Sequence, residues 1–291
     1  MFDIRWLSDW PGHSSLSRID RLTPSGQRMS PNGQNLLPER AVPRLPHLPR
    51  PLYARTESLA RAVSTPRHSH PWVQLSYALE GVLHVHSAAG SFVAPPQRAI
   101  WIPADLEHEV VSSPGTEMRS LYIDCAASAW APLRCRVLEI DNLSRELIRR
   151  FCELPVEYDE GGADGRLAQV LLDQLRAARE VGLSLPLPQD ARLLRLCRAL
   201  QAQPDDSRSL MQWSQALGAS EKTLSRLFLR DTGLTFRAWR QRLRLLAALE
   251  PLQRGDRVTD VALTCGYDST SAFIAAFRQQ FGETPGEFFR D

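Results

Sequence analysis

Lysine is almost missing from this sequence: Lys222 stands alone among 291 residues, and arginine carries nearly all the positive charge. That usage fits a GC-rich coding background better than a special phosphate-binding role. Net charge is scarce too, only +2 at pH 7, so a chain-wide basic excess is no argument for nucleic acid and local charge must carry it. Cysteine is sparse. Cys125, Cys135, Cys152, Cys197 and Cys265 are scattered, odd in number and never in a CxxC pair, which argues against a disulfide framework or a zinc ribbon and for a reducing cytoplasm. None has surroundings that mark a low-pKa thiolate. No apolar run approaches the ~18 residues of a membrane span. The opening MFDIRWLSDWPGHSS has acidic residues and no apolar stretch, unlike a secretory signal. The expectation is a soluble cytoplasmic protein with no membrane partner.

What is present divides the chain. At 43% hydrophobic residues there is apolar material for two ordinary cores. Residues 1–50 are dominated by Pro, Ser, Gly and Arg and read as a poorly ordered extension, with Met29 as a second candidate start. From about Leu52 to Glu139, runs rich in β-branched and aromatic residues alternate with Gly, Pro and Ser turns. Strands are predicted over 72–79, 82–86, 91–94, 99–102, 109–112 and 119–124, which suggests an all-β sandwich or barrel. The period becomes helical over 143–154 and 165–181, where Leu167, Val170, Leu171, Gln174 and Leu175 share a face. That face either packs on the barrel or forms a dimerisation pair. A sensor-sized domain over 51–182, a Pro-punctuated linker over 183–189 and an all-α domain over 190–291 follow. The last carries about seven helices, near 190–203, 208–217, 221–232, 235–250, 257–265, 269–281 and 285–290. The fold class is α+β in two domains.

The all-α part repeats one unit. A helix ends at Leu217, Gly218 supplies the left-handed turn, Ser220 caps the next helix, and Leu224, Leu227 and Phe228 form its apolar stripe. Glu221, Lys222, Ser225, Arg226 and Arg230 occupy the other face. The layout recurs with a glycine turn at Gly266, a cap at Asp268 or Ser269, and Phe273 and Phe277 as the stripe. Thr270, Ser271, Ala275 and Arg278 lie away from it. Each is the layout of a helix-turn-helix with its recognition helix.

Two such units in tandem, with Ala216-Leu217-Gly218, Leu224-Ser225-Arg226-Leu227-Phe228, Cys265-Gly266-Tyr267, Ala276-Phe277-Arg278 and Phe281-Gly282 in place, resemble the DNA-binding domain of AraC/XylS-type transcription regulators over about residues 190–290. The resemblance implies that both recognition helices enter successive major-groove segments of double-stranded DNA. It implies Lys222, Ser225 and Arg226 as base readers in the first unit, with Thr270, Ser271 and Ala275 in the second. Arginine pairs bidentately with guanine and lysine donates to it, whereas alanine can only touch a thymine methyl, so the first unit is expected to carry more of the base-specific energy. Arg230, Arg237, Arg240 and Arg278 are candidates for phosphate or for solvated surface charge. From Asp190 to Asp291 there are 15 Lys/Arg and 12 Asp/Glu, a local net of +3, which predicts moderate salt sensitivity.

The β-rich segment is similar to the cupin-type barrel that such regulators place ahead of their DNA-binding domain, on the pattern His68-Ser-His70, Gly81, Gly90, Pro103 and His108. The resemblance implies inward histidines around a cavity. Metal-binding cupins place a glutamate four or five residues after the second histidine, and this chain has Gln74 and Leu75 there. His68, His70 and His108 therefore hold a divalent transition metal, with Gln74 as a weak neutral donor, or they line an effector pocket. Trp72, Tyr77, Trp101 and Tyr122 are core or pocket wall, with Trp72 and Trp101 kept as pocket candidates. His84 and His86 read as ordinary strand residues.

The reading is a non-enzymatic transcription regulator, binding DNA and a small-molecule effector as a homodimer, with RNA polymerase as a further partner. The competing reading is a metal-dependent cupin enzyme fused to a DNA-binding domain. A third is an architectural DNA protein, against which Lys222 and Arg226 argue.

Overall fold

The computed structural model describes residues 37–42 and 45–290. Most of the expected N-terminal extension, Met29 included, lies outside the described residues. Part of its end is tied down: Glu39 bridges in parallel to Ser64, Arg40 pairs with Glu57, and Arg50 Nε donates to the Tyr158 carbonyl at 2.9 Å.

The β-rich domain folds as two sheets. One runs β1(Leu52–Leu59), β8(Thr116–Ile123), β3(Val73–Glu80), β6(Arg98–Ile102), β9(Arg136–Glu139), β10(Glu180–Val181); the other runs β11(Ser184–Pro186), β5(Gly90–Ala94), β4(Leu83–Ser87), β7(His108–Ser112), β2(Val63–Ser64). Strand pairing is antiparallel throughout. Because side chains alternate along a strand, β3 sends Val73, Leu75 and Tyr77 to one face and Gln74, Ser76 and Ala78 to the other. The first set packs with Trp101, Leu121 and Ile123 under α1(Asn142–Phe151) and α2(Ala163–Ala177). The second faces the barrel interior with Leu83, Val85, Ile102, Val110 and Met118. Strand β3 is nearly continuous in buried residues because both faces are covered.

Helix α2 buries Ala168, Leu171, Leu172 and Leu175, while Val170 is 45% exposed. The expected apolar face is thus rotated: the helix turns its 168/171/172/175 stripe to the sheet. The segment read as a linker carries β11, which pairs with β5 and buries Leu183 and Leu185.

The C-terminal helices are α3(Ala191–Ala202), α4(Leu210–Leu217), α5(Glu221–Thr232), α6(Phe236–Ala247), α7(Leu249–Gln253), α8(Val258–Thr264), α9(Thr270–Phe281) and α10(Pro285–Phe288). The helix expected over 235–250 is divided into α6 and α7. Pro251 has no N–H to give to the carbonyl of Ala247, and its ring crowds that turn. Caps mark the starts: Ser209 forms a capping box with Gln212, and Ser220, Thr235 and Ser269 accept from Thr223, Ala238 and Ala272 N–H groups.

Candidate nucleic-acid interface and ligand site

Helix α5 is held by its buried edge. Leu224 and Phe228 are fully enclosed, and Phe228 meets Phe236 and Trp239 edge-on, each at 5.7 Å between ring centres. Gly218 turns the chain at φ 63°, ψ 33°, and the Ser220 cap fixes where the helix begins. The opposite edge presents Lys222, Ser225 and Arg226 in an open surface depression with Glu221 and Leu229. All are exposed, and among the described residues Lys222 and Arg226 hold no hydrogen bond or ion pair. Arg230 differs. Its guanidinium pairs with Asp231 at 2.8 Å, and Asp231 in turn accepts from the N–H groups of Gln189 and Asp190.

Helix α9 is built the same way on Phe273 and Phe277, which meet Tyr267, Phe281 and Phe288 edge-on. Ser271, Ala275 and Arg278 are exposed and Thr270 is half-buried at the helix start. Between α6 and α9 a groove of about 280 Å³ is lined by Arg237, Arg240, Gln241, Arg244, Tyr267 and Ala276. Arg237 is exposed on it. Arg240 is occupied, donating to the Arg208 carbonyl at 2.8 Å and lying 5.2 Å over Phe236.

Sequence reasoning missed Arg244. It donates to the Pro204 carbonyl at 2.9 Å and to the Gly266 carbonyl at 2.7 Å, tying α6 to the turn of the second unit. A Cβ on Gly266 would lie 2.8 Å from this guanidinium and 2.9 Å from the Asp205 backbone. No local pattern announces such a contact, because both carbonyl partners are remote in sequence. Trp239 was missed for the same reason: its Nε1–H donates to the Pro186 carbonyl of β11 at 2.7 Å.

In the barrel the structure brings His68, His70 and His108 together. Each offers a ring nitrogen within 4.8 Å of the others. A backbone bridge between His68 and His108, closed by two hydrogen bonds of 2.9 and 3.0 Å, holds two of them in register. All three rings place Nδ1 against a carbonyl oxygen two residues away: His68 on Pro66 at 2.9 Å, His70 on Trp72 at 2.8 Å, His108 on Leu106 at 2.8 Å. A carbonyl only accepts, so Nδ1 carries the proton. Burial pulls His108 down to about 4, the neighbouring imidazoles adding to it, and burial also lowers His68. His70 Nε2 lies 2.9 Å from Gln74 Oε1, and Gln74 Nε2 donates to Ser76 Oγ at 2.9 Å.

Trp72 stacks on His70 at 5.3 Å, and Tyr122 meets both rings edge-on. Trp72 Nε1, Ser120 Oγ, Arg55 Nη1 and His108 Nε2 are buried with no hydrogen-bond partner among the described residues. Trp101 stands apart from this group. It lies on the helix-covered face with Trp130, and Arg136 lies over its ring, because it is one residue out of phase with the inward-facing Ile100 and Ile102. His84 contacts Glu250 at 3.5 Å and His86 contacts Ser91 at 3.0 Å, both on the outer face of the smaller sheet. A cleft of about 820 Å³ there is lined by Arg67, His86, Glu109, Arg198 and Gln201. The thiols of Cys135, Cys152 and Cys265 are pushed up to about 11–12 by burial.

Residues 54–175 match a family model described as the AraC-like ligand binding domain, and residues 213–291 match a helix-turn-helix domain. The chain is 35% identical over 237 residues to the HTH-type transcriptional regulator NimR of Escherichia coli (strain K12), covering 81% of this chain and 85% of that one. It is 36% identical over 104 residues to the HTH-type transcriptional regulator RipA of Corynebacterium diphtheriae, 36% of this chain and 30% of that one. Among solved structures, ToxT from Vibrio cholerae O395 overlays 82% of this chain and 96% of its own at 10% identity, with a TM-score of 0.35.

Proposed function

Since the chain belongs to the AraC family of helix-turn-helix transcription regulators, with an AraC-type ligand-binding domain ahead of the DNA-binding one, we propose that α5 and α9 both read base sequence while the barrel mouth takes a small-molecule effector. The observation that carries the reading is the unpartnered Lys222–Ser225–Arg226 edge of α5, displayed on a helix whose other edge is locked into a core. Among the described residues neither Lys222 nor Arg226 is committed to a partner, so both are free to meet a base edge.

Arg226 pairs bidentately with guanine O6 and N7, and Lys222 donates to the same acceptors. Ser225, Thr270 and Ser271 bond to several bases, and Ala275 touches a thymine methyl. The first unit therefore supplies most of the base discrimination. Arg237 and Arg278 contact phosphate, and Arg230 does so only by leaving Asp231. The effector lies against His68, His70, Trp72, Gln74 and His108, where buried polar atoms await a partner. Coupling runs through β11, bonded to β5 on one side and to Trp239 of α6 on the other. Helix α6 packs on both α5 and α9. Effector-dependent regulation then requires two states of this connection with different effector affinity.

Homodimerisation uses the outer side of α1 and α2, where Leu143 and Val170 are exposed, and RNA polymerase is engaged when the operator adjoins a promoter. The protein works in the cytoplasm. The cupin-enzyme reading is disfavoured by the barrel's chemistry, since Gln74 replaces the carboxylate and, among the described residues, no acid–base pair adjoins the histidines. Selection from a random-sequence DNA pool with the purified chain tests the proposal. One enriched motif is expected; a pool that stays random through successive rounds would overturn it.

A further inference from the structure

We infer that the barrel mouth is a neutral three-histidine site for a divalent transition metal, held by Nε2 of His68, His70 and His108 with the Gln74 amide oxygen as fourth donor. The inference deepens the ligand-binding reading of the barrel and rests on it, naming the chemical class of one thing that binds there.

The ring nitrogens settle the argument. With every Nδ1–H given to a carbonyl, the neutral rings turn their Nε2 lone pairs away from the backbone. Outer hydrogen bonds of this kind fix tautomer and ring angle in ligating histidines. His108 Nε2 is buried and meets no donor among the described residues, which is costly for a polar atom. His70 Nε2 points at Gln74 Oε1 from 2.9 Å, lone pair to lone pair. A second proton on His70, or a turned amide, would relieve that one contact and still strand His108. One cation among the three relieves all of them.

Gln74 is prepared for the role as well. Its amide nitrogen is anchored on Ser76, which fixes the oxygen toward His70. Zinc bonds of about 2.0–2.1 Å to imidazole need the nitrogens roughly 3.3 Å apart, so modest ring rotations from the present spacing close the site. Three imidazoles and an amide oxygen suit zinc, nickel, cobalt or copper and select against magnesium and calcium, which prefer all-oxygen sets. All four donors are neutral, so the set binds more weakly than one containing a carboxylate.

The test uses the full-length protein, stripped with a chelator and titrated with cobalt(II), whose visible absorption reports low-coordinate nitrogen ligation. Zinc is then titrated in competition. Saturation at one equivalent is expected. His70→Ala and His108→Ala should each weaken binding at least ~10-fold, by analogy with the cost of lesser changes around metal sites. His84→Ala, off the site, should leave binding unchanged. Gln74→Glu should tighten it ~10-fold by adding charge at the fourth donor, and this gain survives as a test even if a histidine variant fails to fold. Absence of a saturable band, or affinity indifferent to both Gln74→Glu and the histidine losses, would overturn the inference. DNA binding of the stripped protein is measured in parallel. A chain that selects its DNA motif yet takes no metal overturns this inference alone, whereas one that takes metal and selects no DNA supports it and counts against the regulatory reading.

Discussion

Arg226 has five donors in a planar fork and no partner among the described residues, so removing it should touch DNA reading and little else. Arg226→Ala is expected to weaken specific binding by ~1–3 kcal/mol and to leave the urea midpoint where it was. Equal losses on specific and random DNA, measured by competition, would reduce it to a phosphate contact. The two turn glycines make a second comparison. Both need positive φ, 63° at Gly218 and 78° at Gly266. Gly218 has open space around it, and Gly266 is pressed against Arg244 and the Asp205 backbone. Gly218→Val should therefore cost about 1–3 kcal/mol, the range for backbone strain alone, and Gly266→Ala should cost more than Gly218→Ala in the same denaturation assay. Titration gives a third. Burial, aided by His84 and Arg67, draws His86 down to about 4 from 6.5. Between those values the unfolded chain takes a proton that the folded chain refuses, so stability is full above pH about 6.5 and is lost toward pH about 4. His108 shares that window. His86→Gln should flatten part of the slope of urea midpoint against pH, and a slope parallel to the parent's would contradict the assignment. The exposure of Lys222 and Arg226 was legible in the sequence because a helix period puts them opposite an apolar stripe. The internal partners of Arg230 and Arg240, Asp231 and the Arg208 carbonyl, were not, since they become visible only in the fold.

At the scale of elements, α6 is the member on which both recognition helices depend. Arg244 ties it to the second turn, and Trp239 ties it to β11. Arg244→Ala leaves the Pro204 and Gly266 carbonyls without their donor, which should cost about 2 kcal/mol and loosen protection of DNA by α9 more than by α5. Arg244→Lys should rescue little of this, because a point donor cannot fork between two carbonyls. Thermal melts with footprints on the same samples check both statements. Strands β3 to β8 were legible because their residues alternate between bulky β-branched or aromatic types and turn formers. Strand β1, with charged residues among its apolar ones, and the two- and three-residue strands β10 and β11 carry no comparable signal. The Pro-punctuated 183–189 stretch reads as a linker because its strand character comes wholly from β5 beside it. The face of α2 was misjudged by about one residue because Val170 and Gln174 lie next to the stripe that the sheet covers.

At the scale of the whole molecule, a ligand-binding barrel adjoins a DNA-binding domain through β11 and Trp239, through the His84–Glu250 and Gln201–Ser91 contacts and through a shared apolar cluster. The two-part division was legible from the change of hydrophobic period alone. The connection between the parts was not, because its apolar contacts, hydrogen bonds and ion pair join residues far apart in the chain. With a local net charge of only +3 over 190–291, binding should fall with salt less steeply than for a strongly basic domain, and base contacts should carry more of it. The central claim, that both helix-turn-helix units read DNA, is tested most directly by a hydroxyl-radical footprint on the selected site. The full-length chain is compared with Lys222→Ala/Arg226→Ala and Ser271→Ala/Arg278→Ala variants. Two protected patches about one helical turn apart on one face of the duplex are expected, the first lost with the α5 substitutions and the second with those in α9. Protection confined to a single patch, and indifferent to the α9 substitutions, would contradict it.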